Sequence, residues 1–152
     1  MFLRSASVST LLACMALTAL GQELPRWRAE AGALEAEVTP AGLDVLWFKD
    51  RWVIGDSHSD PRPAVEGMVL TEGWRAIAST VASAFGRTET KKLADGSLRF
   101  RLAGIMRENG GPGEWRWRQV IEMDLTRVTV EYELEERRAP GARVISGGYR
   151  LQ

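Results

Sequence analysis

The sequence predicts an all-β protein, an antiparallel β-sandwich, on the strength of three observations. Apolar and polar residues alternate along several segments, which is the period of a strand with one buried face. Turn-forming residues separate these segments at short intervals. The chain has 152 residues, of which 26% are charged and 45% hydrophobic. It therefore has the length of one domain and the composition of a folded protein.

Residues 1–21 predict an export signal rather than part of the fold. Arg4 precedes an apolar stretch over residues 6–20, and residues 19–21 (ALG) offer small residues for cleavage. The stretch is shorter than the roughly 20 apolar residues that a membrane span needs. We therefore expect a secreted or periplasmic β-sandwich domain over residues 22–152, with no membrane span.

Two alternatives for the N-terminal segment stay open. Residues 11–14 (LLAC) resemble the site at which bacterial lipoproteins are lipidated, so Cys14 is a candidate anchor. The other alternative is a buried N-terminal helix, although no polar face accompanies the apolar run. If cleavage follows residue 21, the mature chain has no cysteine, which suits an oxidising compartment.

The balance of charges and the scarcity of ligating residues exclude several function classes. With 20 basic and 20 acidic residues, the chain has no general attraction for nucleic acid, and no such partner is expected. One cysteine and one histidine exclude a disulfide framework and a multi-histidine metal centre. Residues 110–113 (GGPG) lack the Lys-Ser/Thr of a phosphate-binding loop, so no cofactor is predicted.

The first elements of the mature chain predict a meander of antiparallel strands. Residues 34–38 alternate, and residues 43–48 (LDVLWF) form a denser apolar run after a turn at Pro40. Residues 52–54 follow as a third strand. Residues 55–63 (GDSHSDPRP) are rich in turn formers and predict a loop.

The middle of the chain predicts an ambiguous segment and a hairpin. Residues 74–85 fit either a helical face or a strand, and we favour a strand because the surroundings are β. Residues 94–97 (ADGS) predict a hairpin, since Asp-Gly tolerates the positive φ angles of a type I′ turn. The polar residues 88–92 before this turn predict an edge strand.

The longest alternating pattern predicts a hairpin over residues 115–136 with a turn centred on Leu125 and Thr126. The predicted register pairs Met123 with Val128, Ile121 with Val130, Gln119 with Tyr132, Trp117 with Leu134, Arg118 with Glu133 and Arg116 with Glu135. One face is then apolar and the other is a ladder of opposite charges, which a shift by one residue would destroy. Residues 142–151 predict a last strand, with a bulge at its Gly-Gly pair.

The loop over residues 55–63 holds the densest cluster of candidate ligands. Asp56, His58 and Asp60 alternate, so their side chains could converge on a cation. We favour a solvated turn instead, because Asp and Ser side chains commonly bond to nearby backbone in such loops. Neighbouring residues also do not form a catalytic triad. No metal site and no catalytic residue are predicted, and the glutamates of residues 131–136 are expected to pair with arginines.

The six tryptophans are the most suggestive feature for function. An indole ring can stack on the flat C–H face of a sugar while charged neighbours bond to the hydroxyls. We expect Trp47 and Trp117 in the core. Three tryptophans lie near turns or strand ends, Arg75 is next to one of them, and His58 lies in the loop over residues 55–63. The candidate ligand-binding residues are Trp27, Trp52, Trp74, Arg75 and His58.

Residues 32–48, 95–100 and 117–134 resemble strands of galactose-mutarotase-like β-supersandwich domains. The resemblance covers about residues 30–151 and is a strand pattern without an invariant motif. It implies a carbohydrate-related role, because such domains occur in sugar epimerases and as accessory domains of glycoside hydrolases and polysaccharide lyases. They are usually considerably longer, and the catalytic His and Glu of the mutarotases have no match here. The chain is thus expected to be a small sandwich or the front part of a larger protein.

Together these observations predict an exported carbohydrate-binding or accessory domain of a polysaccharide-processing protein, non-catalytic by itself. Its expected partners are a polysaccharide or oligosaccharide and a downstream catalytic domain. One alternative is a sugar-active hydrolase, lyase or epimerase, which requires two carboxylates about 5–10 Å apart in a cleft. The other is a structural or interaction module of the cell envelope, which is favoured if all six tryptophans are buried.

Overall fold

The computed structural model describes residues 24–55, 64–74, 77–80 and 83–151. Of these residues, 66% are in strands and 3% are in helix, and every strand pair among them is antiparallel. The predicted all-β, sandwich-like fold is therefore confirmed. The predicted export segment and the Asp56–Asp60 cluster lie outside the described residues.

The described residues form twelve strands and a short 3-10 turn, Glu72–Trp74. In chain order the strands are β1 (Trp27–Ala31), β2 (Leu34–Thr39), β3 (Gly42–Phe48), β4 (Arg51–Ile54), β5 (Val65–Thr71), β6 (Ile77–Ser79), β7 (Ala84–Phe85), β8 (Glu89–Lys92), β9 (Leu98–Arg107), β10 (Glu114–Met123), β11 (Val128–Arg138) and β12 (Val144–Leu151). Strands β1 to β4 form a meander sheet in that order, and a short sheet has the order β12-β5-β6. The long sheet has the order β11-β10-β9, and both β7 and β8 pair with β9.

The β10–β11 hairpin has the register predicted from its alternation, with all six predicted pairs confirmed. Asp124 fixes the turn by accepting hydrogen bonds from the backbone N–H groups of Thr126 (2.7 Å) and Arg127 (3.0 Å). A hydrogen bond from the Thr126 hydroxyl, together with these two backbone bonds, lowers the pKa of Asp124 to about 2. On the outer face, Arg118 lies 3.4 Å from Glu133. Each exposed pair of this kind contributes only about 0–1 kcal/mol.

The inner face of β10 forms the centre of the hydrophobic core. Its inward side chains are all buried: Trp115, Trp117, Gln119, Ile121 and Met123. Trp117 is 0% exposed, as predicted. Its indole N–H donates to the Ser83 hydroxyl at 3.0 Å, and its ring is parallel to that of Tyr132 at 6.3 Å. Gly104 leaves the space that this indole occupies, since a Cβ there would lie 2.6 Å from the indole nitrogen.

The long sheet is covered along its length by the two other sheets. Gly32 of the meander sheet approaches Leu125, and Gly42 approaches Gln119 further along. On the short sheet, Gly67 lies against the Tyr132 ring. Residues of all three sheets belong to one core cluster. The long sheet is thus one layer of the sandwich, and the meander and short sheets share the other.

Trp47 is not a core residue, so this prediction was wrong. Glu37 pairs with Val45 whereas Val38 pairs with Leu43, so Asp44 is an extra residue in β3. A bulge of this kind changes which residues face the core. Leu43 and Leu46 therefore both belong to the core, although residues three positions apart on a regular strand face opposite sides. Trp47 is half-buried on the outer face.

Two local predictions need a similar correction. The hairpin at residues 94–97 and the exposed edge strand β8 are confirmed, but only Gly96 has a positive φ (86°) in this turn. The turn is therefore not type I′, because that type needs positive φ at both central residues. The last strand is also confirmed, but its bulge lies between Val144 and Ser146, before the Gly-Gly pair.

The ambiguous segment over residues 74–85 contains strand, as favoured, but is divided between two sheets. Ile77–Ser79 pairs with β5 in the short sheet, and Ala84–Phe85 pairs with β9 in the long sheet. The chain crosses from one layer to the other between them. This crossing explains the mixed pattern of the sequence, because neither a single helix nor a single strand occupies the segment.

Candidate functional site

A row of four side chains crosses the outer face of the meander sheet and is the candidate ligand surface. Glu30 is the cross-strand partner of Glu35, Glu35 is the partner of Trp47, and Trp47 is the partner of Trp52. Cross-strand partners project from the same face. The row, named here the tryptophan row, spans three strand spacings, or about 14 Å.

The two tryptophans of this row differ in exposure. Trp52 is 57% exposed on the edge strand β4, and Trp47 beside it is half-buried. The same end of the sheet also exposes Val53 (53%) and Phe48 (45%). Large exposed apolar side chains concentrated on one hairpin indicate a contact surface rather than a packed interior.

The acidic end of the row is held by Arg28 of β1. Arg28 forms ion pairs with Glu35 and, at 3.5 Å, with Glu30. The hydrogen bond to Glu35 raises the pKa of Arg28 above its ordinary value. These charged groups offer both donors and acceptors next to the indole rings.

The bulge and a tight turn place Trp52 opposite Trp47. The bulge residue Asp44 is buried and forms an ion pair with Arg26. Burial raises the pKa of Asp44, and Arg26 opposes that rise. The turn between β3 and β4 consists of Lys49 and Asp50, whose φ angles are 50° and 61°. This is the type I′ geometry that matches the twist of a hairpin, formed here without Asn or Gly.

A concave surface lies on the outer face of the long sheet. It is a cleft of about 590 Å³ whose side chains alternate in charge. Arg101 lies between its cross-strand partner Glu89 and, beyond Val120, Glu131. The charged residues lining this cleft are Arg87, Glu89, Arg101, Arg118, Glu131 and Glu133. Tryptophan is absent from the cleft's lining.

The predicted ligand-binding residues are not brought together as a set. Trp52 lies on the tryptophan row, whereas Trp27 lies at the other edge of the sheet, opposite the buried Val38. Trp27 packs against the core, so its ring belongs to the inner face. Trp74 ends the 3-10 turn after β5, and no orientation of its side chain is described. Arg75 and His58 lie outside the described residues.

Sequence reasoning missed four residues of this surface: Arg28, Glu30, Glu35 and Trp47. The available signal was the run of residues 43–48, which is too apolar for simple alternation and therefore indicates a bulge. Its consequence for Trp47 could not be read from the sequence, because the position of the extra residue depends on pairing with β2.

Comparisons with known proteins add no further assignment. No family model, curated protein or solved structure matches the chain. Within the part of the chain that the structure describes, no three His, Cys, Asp or Glu side chains are grouped so as to hold a metal ion. The helices there include none long and apolar enough to cross a membrane.

Proposed function

We propose that this chain is an exported carbohydrate-binding or accessory domain of a polysaccharide-processing protein, and that it binds glycan on the tryptophan row. The observation that carries the proposal is the exposed Trp52 in register with Trp47, beside the Arg28–Glu35 ion pair. Its resemblance to galactose-mutarotase-like domains points to the same class of ligand.

The chemistry of the row suits an extended sugar chain. The apolar faces of the sugar rings stack on Trp52 and the exposed part of Trp47, where C–H groups contact the indole. Hydroxyl groups along the chain exchange hydrogen bonds with Glu30, Glu35 and Arg28, which supply acceptors and donors in one line. The row extends over about 14 Å across one sheet face, so binding along a long chain is favoured over capture of a free monosaccharide.

Affinity electrophoresis through gels containing soluble polysaccharides tests this function. We expect the wild-type protein to be retarded by at least one of them. Trp52→Ala should weaken that binding about tenfold, since loss of a stacked ring costs roughly 1.4 kcal/mol. Glu35→Gln should weaken it less, because the amide keeps one acceptor.

Val53→Ala is the matched control, since it removes a similarly exposed apolar side chain from the same strand without altering the row. It should bind like the wild type. The proposal fails if no polysaccharide retards the wild-type protein, or if Trp52→Ala and Val53→Ala bind equally well.

The sugar-active enzyme is the second candidate, and the charged cleft is the observation in its favour. Glu131 and Glu133 both line it and lie two residues apart on one face of β11, about 7 Å between Cα atoms. Hydrolysis of chromogenic glycosides that is lost in Glu131→Gln would support this candidate. The third alternative, a structural module of the cell envelope, was favoured only if all six tryptophans were buried. Trp52 is largely exposed, so this condition is not met.

A further inference from the structure

The free side of β11 over residues 128–134, named here the β11 edge, is open to a further strand. Strand β11 is the longest strand of the described residues and pairs with β10 on one side only. Its other side therefore presents backbone N–H and C=O groups without ladder partners in the described structure, over about 24 Å. The opposite edge of the same sheet is better protected, because β8 has only four residues and two of them are lysines.

The inner face of β11 is only partly covered. Its inward side chains are half-buried, whereas their cross-strand partners on β10 are at most 1% exposed. The half-buried residues are Val128, Val130, Tyr132 and Leu134. A row of partly exposed apolar side chains beside an unpaired edge is the surface that one more strand would cover.

An apolar cavity of about 230 Å³ borders this face. Val128 and Val130 line it from β11, and Leu46, Ile54 and Val65 line it from the other layer. A strand added to the β11 edge would lie about 4.8 Å from β11, and its inward side chains would point the same way as Val130. A dry cavity of about 150 Å³ accommodates benzene, so this one accommodates an aliphatic or aromatic side chain of the added strand.

Acidic side chains occupy the outer face of the same segment. Glu133 lies 3.4 Å from Arg118 of β10, and both side chains are largely exposed. Glu131 lies opposite Val120 and forms no ion pair within the part of the chain that the structure describes. Arginine or lysine on an added strand would pair with these glutamates from the free side, as Arg118 does from β10.

We propose that the β11 edge binds an extended segment of a partner protein in which apolar and basic residues alternate. Main-chain hydrogen bonds extend the long sheet by one strand, apolar side chains enter the cavity, and basic side chains contact the glutamates. A second copy of β11 fits poorly, because antiparallel pairing centred on Glu131 or Glu133 places glutamate opposite glutamate. The β11 edge and the tryptophan row belong to different layers of the sandwich, so this binding does not depend on glycan.

An octapeptide of alternating arginine and valine is the probe, titrated into the whole chain labelled with nitrogen-15. We expect saturable shifts of backbone amide signals, concentrated at residues 128–134. Replacing every arginine of the peptide by glutamate should abolish binding, because the charges then repel. Replacing every valine by serine should weaken binding about tenfold or more, since no apolar side chain enters the cavity. N-methylation of the peptide amides should abolish binding, because it removes the hydrogen-bond donors of the added strand.

Glu131→Lys should weaken peptide binding about tenfold with little change in melting temperature, because the substitution reverses a charge that has no ion pair in the described structure. Glu89→Lys is the matched control, since it reverses an exposed charge on β8 at the opposite edge of the sheet. It should bind like the wild type. Ile54→Phe fills the cavity and should remove the preference for valine over serine; if this variant does not fold, the peptide comparisons decide alone.

Three results would overturn the proposal. The first is that the arginine–valine peptide causes no shifts at residues 128–134. The second is that the glutamate-containing or the N-methylated peptide binds equally well, which would exclude charge pairing or strand addition. The third is that signals of β11 shift with protein concentration in the absence of peptide while sedimentation shows a dimer, which would make a second copy of this chain the occupant.

Discussion

The tryptophans of the β10–β11 hairpin face the core, whereas those of the β3–β4 hairpin face outward. In the β10–β11 hairpin the alternation is unbroken over ten residues of β10, and Trp115 and Trp117 both face the core. In the β3–β4 hairpin a bulge and a further register shift interrupt the ladder, and Trp47 and Trp52 face outward. The same residue type is thus core in one hairpin and surface in the other.

The difference teaches that exposure follows register rather than hydrophobicity. A tryptophan on a regular strand is buried if its neighbours two residues away are buried, because strand side chains alternate strictly. One extra residue, Asp44, reverses that rule for Trp47. The irregular hairpin is consequently where a ligand surface is most expected, and the regular one is where stability is concentrated.

The largest effect that separates the two hairpins should come from truncating their tryptophans. Trp117→Ala should lower the free energy of unfolding by about 3–5 kcal/mol, because it leaves a cavity and removes the contacts with Tyr132 and Ser83. Trp52→Ala should lower it by less than about 1 kcal/mol. Urea denaturation of both variants measures this, and equal losses would contradict the distinction.

A smaller effect should come from relieving the turn of the irregular hairpin. Asp50→Gly should raise the free energy of unfolding by about 0.5–1 kcal/mol, since φ is 61° there and glycine adopts it without strain. The change leaves Lys49 near the Phe48 ring. Ala94→Gly in the β8–β9 turn is the control and should be slightly destabilising, because its φ is not positive. Thermal melts that change in the same direction for both variants would refute this explanation.

The smallest effect concerns the turn of the regular hairpin and is confined to acid. The pKa of Asp124 in the folded state is about 2, below its ordinary value of 3.8, so the folded chain binds fewer protons there than the unfolded chain. Its stabilisation is complete above about pH 3.8 and is lost as the pH falls towards 2. The stability gap between the wild type and Asp124→Asn should therefore shrink in acid, as measured by urea midpoints. An NMR titration of the Asp124 carboxyl near its ordinary pKa would contradict this.

The fold was predictable from the sequence where the pattern of residues within one hairpin was enough to set its pairing. The register of β10 on β11 follows from matching an apolar face and a charged face, and every predicted pair is present. The type I′ turn at Lys49 and Asp50 could not be identified from the sequence, because these residues do not favour positive φ. The expected type I′ turn at Asp95 has another form, since a single positive φ at Gly96 closes it.

The candidate surface was predictable only in part. Trp52 was named from its place beside a turn, and it is exposed. Trp27 has a similar place in the sequence but packs against the core, because β1 pairs with β2 so that Trp27 shares a face with Val38. Arg28 and Glu35 carry no sequence signal of their own, since their importance comes from adjacency across strands.

The sequence by itself determined the strand periods, the ends of several strands and the pairing of the longest hairpin, because these depend on residues close along the chain. Only the tertiary structure decided which face of the meander sheet was outer and how the segment after Trp74 was divided between two sheets. The physical reason is that one inserted residue reverses a strand's faces, and its position is set by partners distant in sequence.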